Sequence, residues 1–207
     1  MPTENFIRLK LYKRNAILKA ACIAIADSSC HHLQTSKIAA RMHISKSDFD
    51  LYFHDRRDLL CCMLYYLFDS VQADFLLCLQ AEDGDFQKAC IRNICEMKKT
   101  GNWGLYASIC ERFIYETYYR KLAVYAAERY YETGKITEFM ETCYEMLDPG
   151  RYGALEQKKL ETGMELVLEI VLYGLVTCDT NNTDEEWEAL LCRVREIGQG
   201  LERISSV

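Results

Sequence analysis

Between Thr35 and Phe53 the chain reads TSKIAARMHISKSDFDLYF. Lys46, Ser47, Asp50 and Tyr52 carry donors and acceptors of the kind that meet base edges in a DNA major groove. Thr35, Lys37, His54 and Arg56 flank them with the hydroxyl and cationic groups that hold phosphates. Two acids stand against this pattern. Asp48 and Asp50 place negative charge where a surface facing phosphate should be positive.

These side chains can act only if short elements hold them at fixed angles. Thr35 is placed to cap a helix whose apolar positions are Ile38, Ala39 and Met42. Ser45 opens a second helix, with Asp48 three residues on, the spacing of a capping box. Ile44 before that cap and Phe49 four residues after it have the spacing of a hydrophobic staple, which sets the entry angle of the chain. Leu51 and Phe53 add apolar surface. A third start follows at Asp55, Arg56, Arg57 and Asp58, leading into Leu59 and Leu60. Two short helices joined by a tight turn form the layout that lays its second helix in a groove, although any small helical hairpin shares these features.

From Asn15 to Leu60 the chain resembles the DNA-binding domain of the tetracycline-repressor (TetR) family. The matching residues are Ala16 to Ala21, Thr35, Ile38, Ala39, Ile44, Ser45, Lys46, Phe49, Tyr52, Phe53, Leu59 and Leu60. That family usually has glycine where this chain has Cys30 and His43. It favours a small or hydroxyl residue and a tyrosine where Asp48 and Asp50 stand. The resemblance implies that Lys46, Ser47 and Tyr52 meet the major groove, with Asp50 beside them, while Thr35, Lys37, His54 and Arg56 hold the backbone. A non-glycine side chain in a left-handed turn position costs on the order of 1 kcal/mol, and His tolerates that region better than most residues.

Charge is divided unevenly. Residues 1–58 hold ten Lys/Arg and six Asp/Glu, a net of +4, and residues 59–207 carry −10, together the −6 of the whole chain. A basic head on an acidic body fits a protein of which one end meets nucleic acid. Arg8, Lys10, Lys13, Arg14 and Arg41 add to the basic set. The expected organisation is all-α, with a helix-turn-helix domain over 1–58 and a helical ligand-binding and dimerisation domain over 59–207. No basic and apolar leader opens the chain and no run of about 18 apolar residues stands out, so a cytoplasmic protein with no membrane partner is expected. Eleven cysteines, odd in number and scattered, do not form a disulfide framework and read as small hydrophobes. Cys30, His31, His32, His43 and His54 match no closed zinc spacing, and no cofactor is expected. A redox or metal sensor is the remaining alternative for this set.

In the body, helical periodicity predicts helices over 59–80, 86–99, 103–147 with a break at Thr133 and Gly134, 155–178, and from Asp184 to the end. Asp148, Pro149 and Gly150 give the clearest loop signal. By the resemblance, the last two helices pair with their copies into a four-helix homodimer interface. Dimerisation would set two recognition helices about 34 Å apart on one side of a duplex. Aromatics crowd residues 103–131, and Trp103, Tyr106, Phe113, Tyr118 and Tyr125 are candidates for a pocket taking a small organic ligand of unknown identity. No glycine-rich phosphate loop, Gly-x-Ser-x-Gly elbow, His-Glu-x-x-His or Glu-x-x-His is present, so enzyme chemistry is not expected. The resemblance points to a ligand-responsive transcriptional regulator, a repressor binding a palindromic operator on double-stranded DNA. The alternative is a TetR-like module for protein interaction or ligand binding that has lost operator binding.

Overall fold

The computed structural model describes residues 2–27, 35–177 and 184–205. The fold is all-α, with twelve helices among the described residues: α1 Glu4–Ile7, α2 Leu11–Ala26, α3 Thr35–Arg41, α4 Lys46–Tyr52, α5 Arg56–Ala81, α6 Phe86–Lys99, α7 Asn102–Tyr115, α8 Thr117–Tyr131, α9 Lys135–Met146, α10 Pro149–Tyr152, α11 Gln157–Thr177 and α12 Asp184–Ser205. Two compact units share these helices. One comprises residues 1–70 and 108–132, the other 71–107 and 133–207. The sequence-based boundary at residue 58 falls in the first turn of α5. The units divide instead inside α5, inside α7 and between α8 and α9.

In the first unit, α2, α3, α4 and the start of α5 enclose a core of Ile17, Leu18, Ala21, Ile38, Ala39, Met42, Phe49, Phe53 and Leu59, with Phe6 of α1 joining it. The short α1 was not expected from the sequence. It ties down the end of α4: the Thr3 N–H donates to the Tyr52 carbonyl at 3.0 Å and its hydroxyl to the Leu51 carbonyl at 2.6 Å. Carbonyls at a helix end have no partner inside the helix, so this segment completes α4. Within the same unit α8 buries Tyr119, Leu122, Ala126 and Tyr130, one stripe at helical spacing. Tyr130 donates to the Asp69 carboxylate at 2.6 Å and its ring meets those of Tyr65 and Phe68.

Helix α5 is the one helix among the described residues that is long and apolar enough, by length and composition, to cross a membrane. Its residues Leu59, Leu60, Met63 and Leu79 are fully buried in the protein.

The second unit is organised around α12, which packs on α11, α6 and α10. Leu201 and Leu190 of α12 lie against Gly163 and Gly174 of α11, and Trp103 also reaches Gly174. The expected break in 103–147 is present at Gly134, which takes a left-handed φ of 77°. A second break, at Glu116, has an extended backbone between α7 and α8. It has no glycine or proline to announce it. At Gly84 (φ 79°) a Cβ would come within 2.4 Å of the Met146 carbonyl and the Asp148 nitrogen, so only glycine lets these strands of chain pass, and the Asp148 N–H donates to the Gly84 carbonyl at 3.1 Å. Beside this crossing, Arg151 of α10 reaches both Asp85, the cap of α6, at 2.9 Å and Glu202 of α12 at 2.8 Å.

Two glycines of α12 give opposite expectations. A Cβ at Gly198 would lie 2.5 Å from Gln87 Cβ and 3.1 Å from its Cα, whereas at Gly200 it meets nothing. Gly198→Ala should destabilise by about 1–3 kcal/mol, and Gly200→Ala should stabilise by about 1 kcal/mol through helix propensity. Both tryptophans, Trp103 and Trp187, lie in this unit with ring centroids 5.0 Å apart, so their fluorescence during urea unfolding reads the two changes directly.

Candidate nucleic-acid interface

The second short helix is held by its cap. The Asp48 N–H donates to Ser45 Oγ at 2.9 Å, Ser45 N–H donates to Asp48 Oδ2 at 3.3 Å, and Ser45 Oγ lies 2.7 Å from the same oxygen. This is the reciprocal capping box the spacing predicted. Hydrogen bonding by the Ser45 side chain, then by its backbone, holds the Asp48 carboxyl below the usual range, with a smaller pull from Lys13. Asp48 therefore has a structural task in the first turn of α4. Ile44 packs against the cluster that contains Phe49, as the staple spacing implies.

Between α3 and α4, His43 adopts a φ of 55°. This is the turn position at which the resembled family usually has glycine, and here a histidine bears the left-handed conformation. The other departure, Cys30, lies outside the described residues, as do His31 and His32.

With the helix so fixed, its two faces separate. Phe49 and Tyr52 are buried, while Lys46, Ser47, Asp50 and Leu51 are exposed. Spacing of i, i+1, i+4 and i+5 places these four within one side of the helix. His54, also exposed, follows the extended Phe53 that ends the helix. Lys46 Nζ lies 2.7 Å from both carboxylate oxygens of Asp50. Asp50 is thus half of an ion pair one helical turn long. The Ser47 hydroxyl is 2.8 Å from that of Ser45. The His54 N–H donates to Asp58, and the Asp58 N–H donates to Asp55, which opens α5 as expected.

Several expected contacts are placed elsewhere. Tyr52 is in the core, 7% exposed, its ring 5.9 Å from Phe6, because the period that exposes Lys46 and Asp50 turns residue 52 inward. Arg56 is half-buried. Its guanidinium donates to the Tyr119 hydroxyl and lies over the rings of Tyr118 and Tyr119. Arg57 stacks on Tyr125 at 4.3 Å. Arg41 donates to the Ala24 carbonyl at 3.2 Å and Arg112 to that of Ala26 at 2.9 Å, two cations at the C-terminal end of α2. Arg8 ends α1 and Lys10 stands at the N-cap of α2. Thr35 is the half-buried first residue of α3, and Lys37, Lys10 and Lys13 are exposed. Lys13 lies close enough to α4 to act on Asp48.

The aromatic candidates do not come together in one unit. Trp103 and Tyr106 belong to the second; Phe113, Tyr118 and Tyr125 belong to the first. Trp103 is buried against Trp187, and Phe113 against Tyr119. Tyr118 and Tyr125 are exposed and engaged with Arg56, Arg57 and Arg129. Phe113, Tyr119 and Tyr130 serve the packing of α8, while Tyr115 and Tyr131 are exposed. The Arg56–Tyr119 contact had no sequence signal beyond residue type, since 63 positions separate the partners.

Burial pushes the thiols of Cys22, Cys62 and Cys143 up to about 12 and that of Cys110 to about 11, and raises those of Cys90 and Cys61. Thiolate, the reactive form, is scarce at such sites. Cys95 and Cys192 are exposed. Peptide mapping after maleimide treatment of native protein should find Cys95 and Cys192 labelled, with Cys22, Cys62, Cys90 and Cys143 labelled only after unfolding.

The turn yields a second expectation. His43→Gly removes left-handed strain of about 1–2 kcal/mol and adds chain entropy of about 0.5–1 kcal/mol, for a net gain between zero and about 1.5 kcal/mol. His43→Val should destabilise, and Ser45→Ala should cost about 1 kcal/mol by removing the cap. Urea unfolding followed by far-UV circular dichroism checks all three.

Comparison with protein-family models, with curated proteins and with solved structures finds no match. The likeness to the TetR family rests on the residues between Asn15 and Leu60.

Proposed function

We infer that this chain is a dimeric DNA-binding regulator of TetR type, with α3 and α4 as a helix-turn-helix and α4 as its recognition helix. One observation carries the reading. A seven-residue helix, capped at one end and tied at the other, turns Phe49 and Tyr52 inward and presents Lys46, Ser47, Asp50 and Leu51 together on its outer side. A polar and partly apolar face of this width suits a major groove. Lys10, Lys13 and Lys37 supply exposed positive charge from the neighbouring helices for phosphates.

Dimerisation is supported by α11. Leu168 and Leu172, one turn apart, are exposed on a helix that otherwise packs on α12. An apolar group of this kind suits an interface between copies. A small organic ligand would control such a regulator only if it bound the two arrangements of the recognition helices with different affinity. Repression of a palindromic operator in the cytoplasm is the corresponding role.

A second reading, a TetR-like interaction or ligand-binding module without operator binding, is favoured by one specific observation. Arg41, Arg56 and Arg57, three of the cations of the head, are engaged within the protein. Asp50→Tyr discriminates. If the wild type is silent on DNA and this change confers binding, the second reading gains.

The decisive measurement is affinity for duplex DNA flanking its own gene as salt is raised. The expected loss exceeds about tenfold between 50 and 200 mM, the fall that even two phosphate contacts produce, and Lys37→Ala should lower the slope by about one. A folded dimer that binds no such fragment at low salt would sink the regulator reading.

A further inference from the structure

The acid on the outer face of α4 has a partner, and the pair has a chemistry of its own. Lys46 and Asp50 are both more than half exposed, with Nζ 2.7 Å from each carboxylate oxygen. An ammonium has three donors and an ionised carboxylate about four acceptor sites. Their mutual contact uses at most two of each, so both keep hydrogen-bonding capacity directed away from the helix. A lone lysine is drawn to phosphate by its charge. Here the charge is balanced one turn away, which weakens that pull and leaves a fixed donor beside a fixed acceptor.

We propose that Lys46 and Asp50 act as one paired base reader that selects a G·C pair in each half-site. This rests on the DNA-binding reading of the same face and names what that face recognises. In the major groove guanine presents O6 and N7 as acceptors, and the N4 amino group of its paired cytosine is a donor. The three sit side by side on one base-pair edge. Lys46 donates to guanine O6 and N7, and Asp50 accepts from cytosine N4. An A·T pair serves the two side chains worse: with adenine in place of guanine, Lys46 meets the N6 donor and Asp50 meets the thymine O4 acceptor, and with the pair reversed Lys46 keeps only thymine O4, the methyl standing where guanine N7 was. Leu51, exposed beside Asp50, provides an apolar contact for a thymine methyl at an adjacent pair. The placement assigns specificity to α4 and leaves general affinity to the lysines outside it.

The test is selection of bound duplexes from a randomised DNA pool by the full-length protein, followed by affinity measurements on single-base variants of the selected site. The wild type should favour G·C over A·T at one position of each half-site by roughly tenfold to a hundredfold. Asp50→Ala should bring that position close to indifference without loss of affinity for unselected DNA, since a negative charge has gone. Asp50→Asn should shift it toward A·T, because an amide pairs with adenine N6 and N7. Circular dichroism of each variant confirms that α4 is retained. Salt-dependent binding without a G·C preference, or a preference unchanged in Asp50→Ala, overturns the paired reader and leaves DNA binding standing. Absence of all duplex binding by the wild type overturns both.

Discussion

The packing of Phe53 against both Phe6 and Phe49 holds in place a helix too short to persist alone. Isolated helices below about a dozen residues are marginal in water, and α4 has seven. It forms because three constraints meet on it. Ser45 and Asp48 satisfy its first turn, Phe49 and Tyr52 bury one side, and Thr3 takes up two carbonyls at its far end. Each constraint also fixes an angle. Together they determine which side chains face outward, so the chemistry of the exposed face follows from the burial of the opposite one. The left-handed turn at His43 belongs to the same account, since without it the chain could not leave α3 and enter α4 over so short a distance.

Four arginines of the first unit are engaged within it: Arg41 and Arg112 with the carbonyls that end α2, Arg56 and Arg57 with tyrosine rings of α8. Lys10, Lys13 and Lys37 are exposed, as is Arg8, which pairs with Glu4. This follows from the side chains themselves. A guanidinium is planar, weakly hydrated and suited to stacking and to forked hydrogen bonds, whereas an ammonium is compact and strongly hydrated. A count of positive residues in the head therefore overstates what could reach phosphate. The same arginines bring residues 108–132 into the unit that contains α4, which is why the compact units do not follow the linear order of the chain.

What could be read in advance depended on range. The capping box at Ser45, the cap at Asp55, the bounds of α6 and the break at Gly134 are legible, since each depends on residues within a turn or two. Residue type suits Tyr52 to a groove, while the helical period set by Phe49 assigns it to the core. The break at Glu116 and the attachment of Arg56 to Tyr119 depend on partners distant in sequence. The aromatic residues at 103–131 were correctly seen as a crowd, yet composition alone does not distinguish rings that line a cavity from rings that fill it. Here Tyr119 and Tyr130 are almost wholly buried in the packing of α8.

The two acids of α4 show how much depends on a partner within reach. As isolated charges on a surface facing DNA, each would oppose the approach of phosphate. Asp48 is instead tied to the amides that begin its helix, and Asp50 is neutralised at 2.7 Å by Lys46. The field of a close ion pair is that of a dipole, which falls off faster than that of a charge and is screened further within about 8–10 Å at ordinary salt. At phosphate distance the pair is nearly silent. At the contact distance of a base edge it is a donor beside an acceptor. An acid in such a helix therefore moves its contribution from the long range, where affinity is gathered, to the short range, where sequence is told apart. Positive charge needed for the long range can then come from Lys13 and Lys37 on the neighbouring helices, which are exposed.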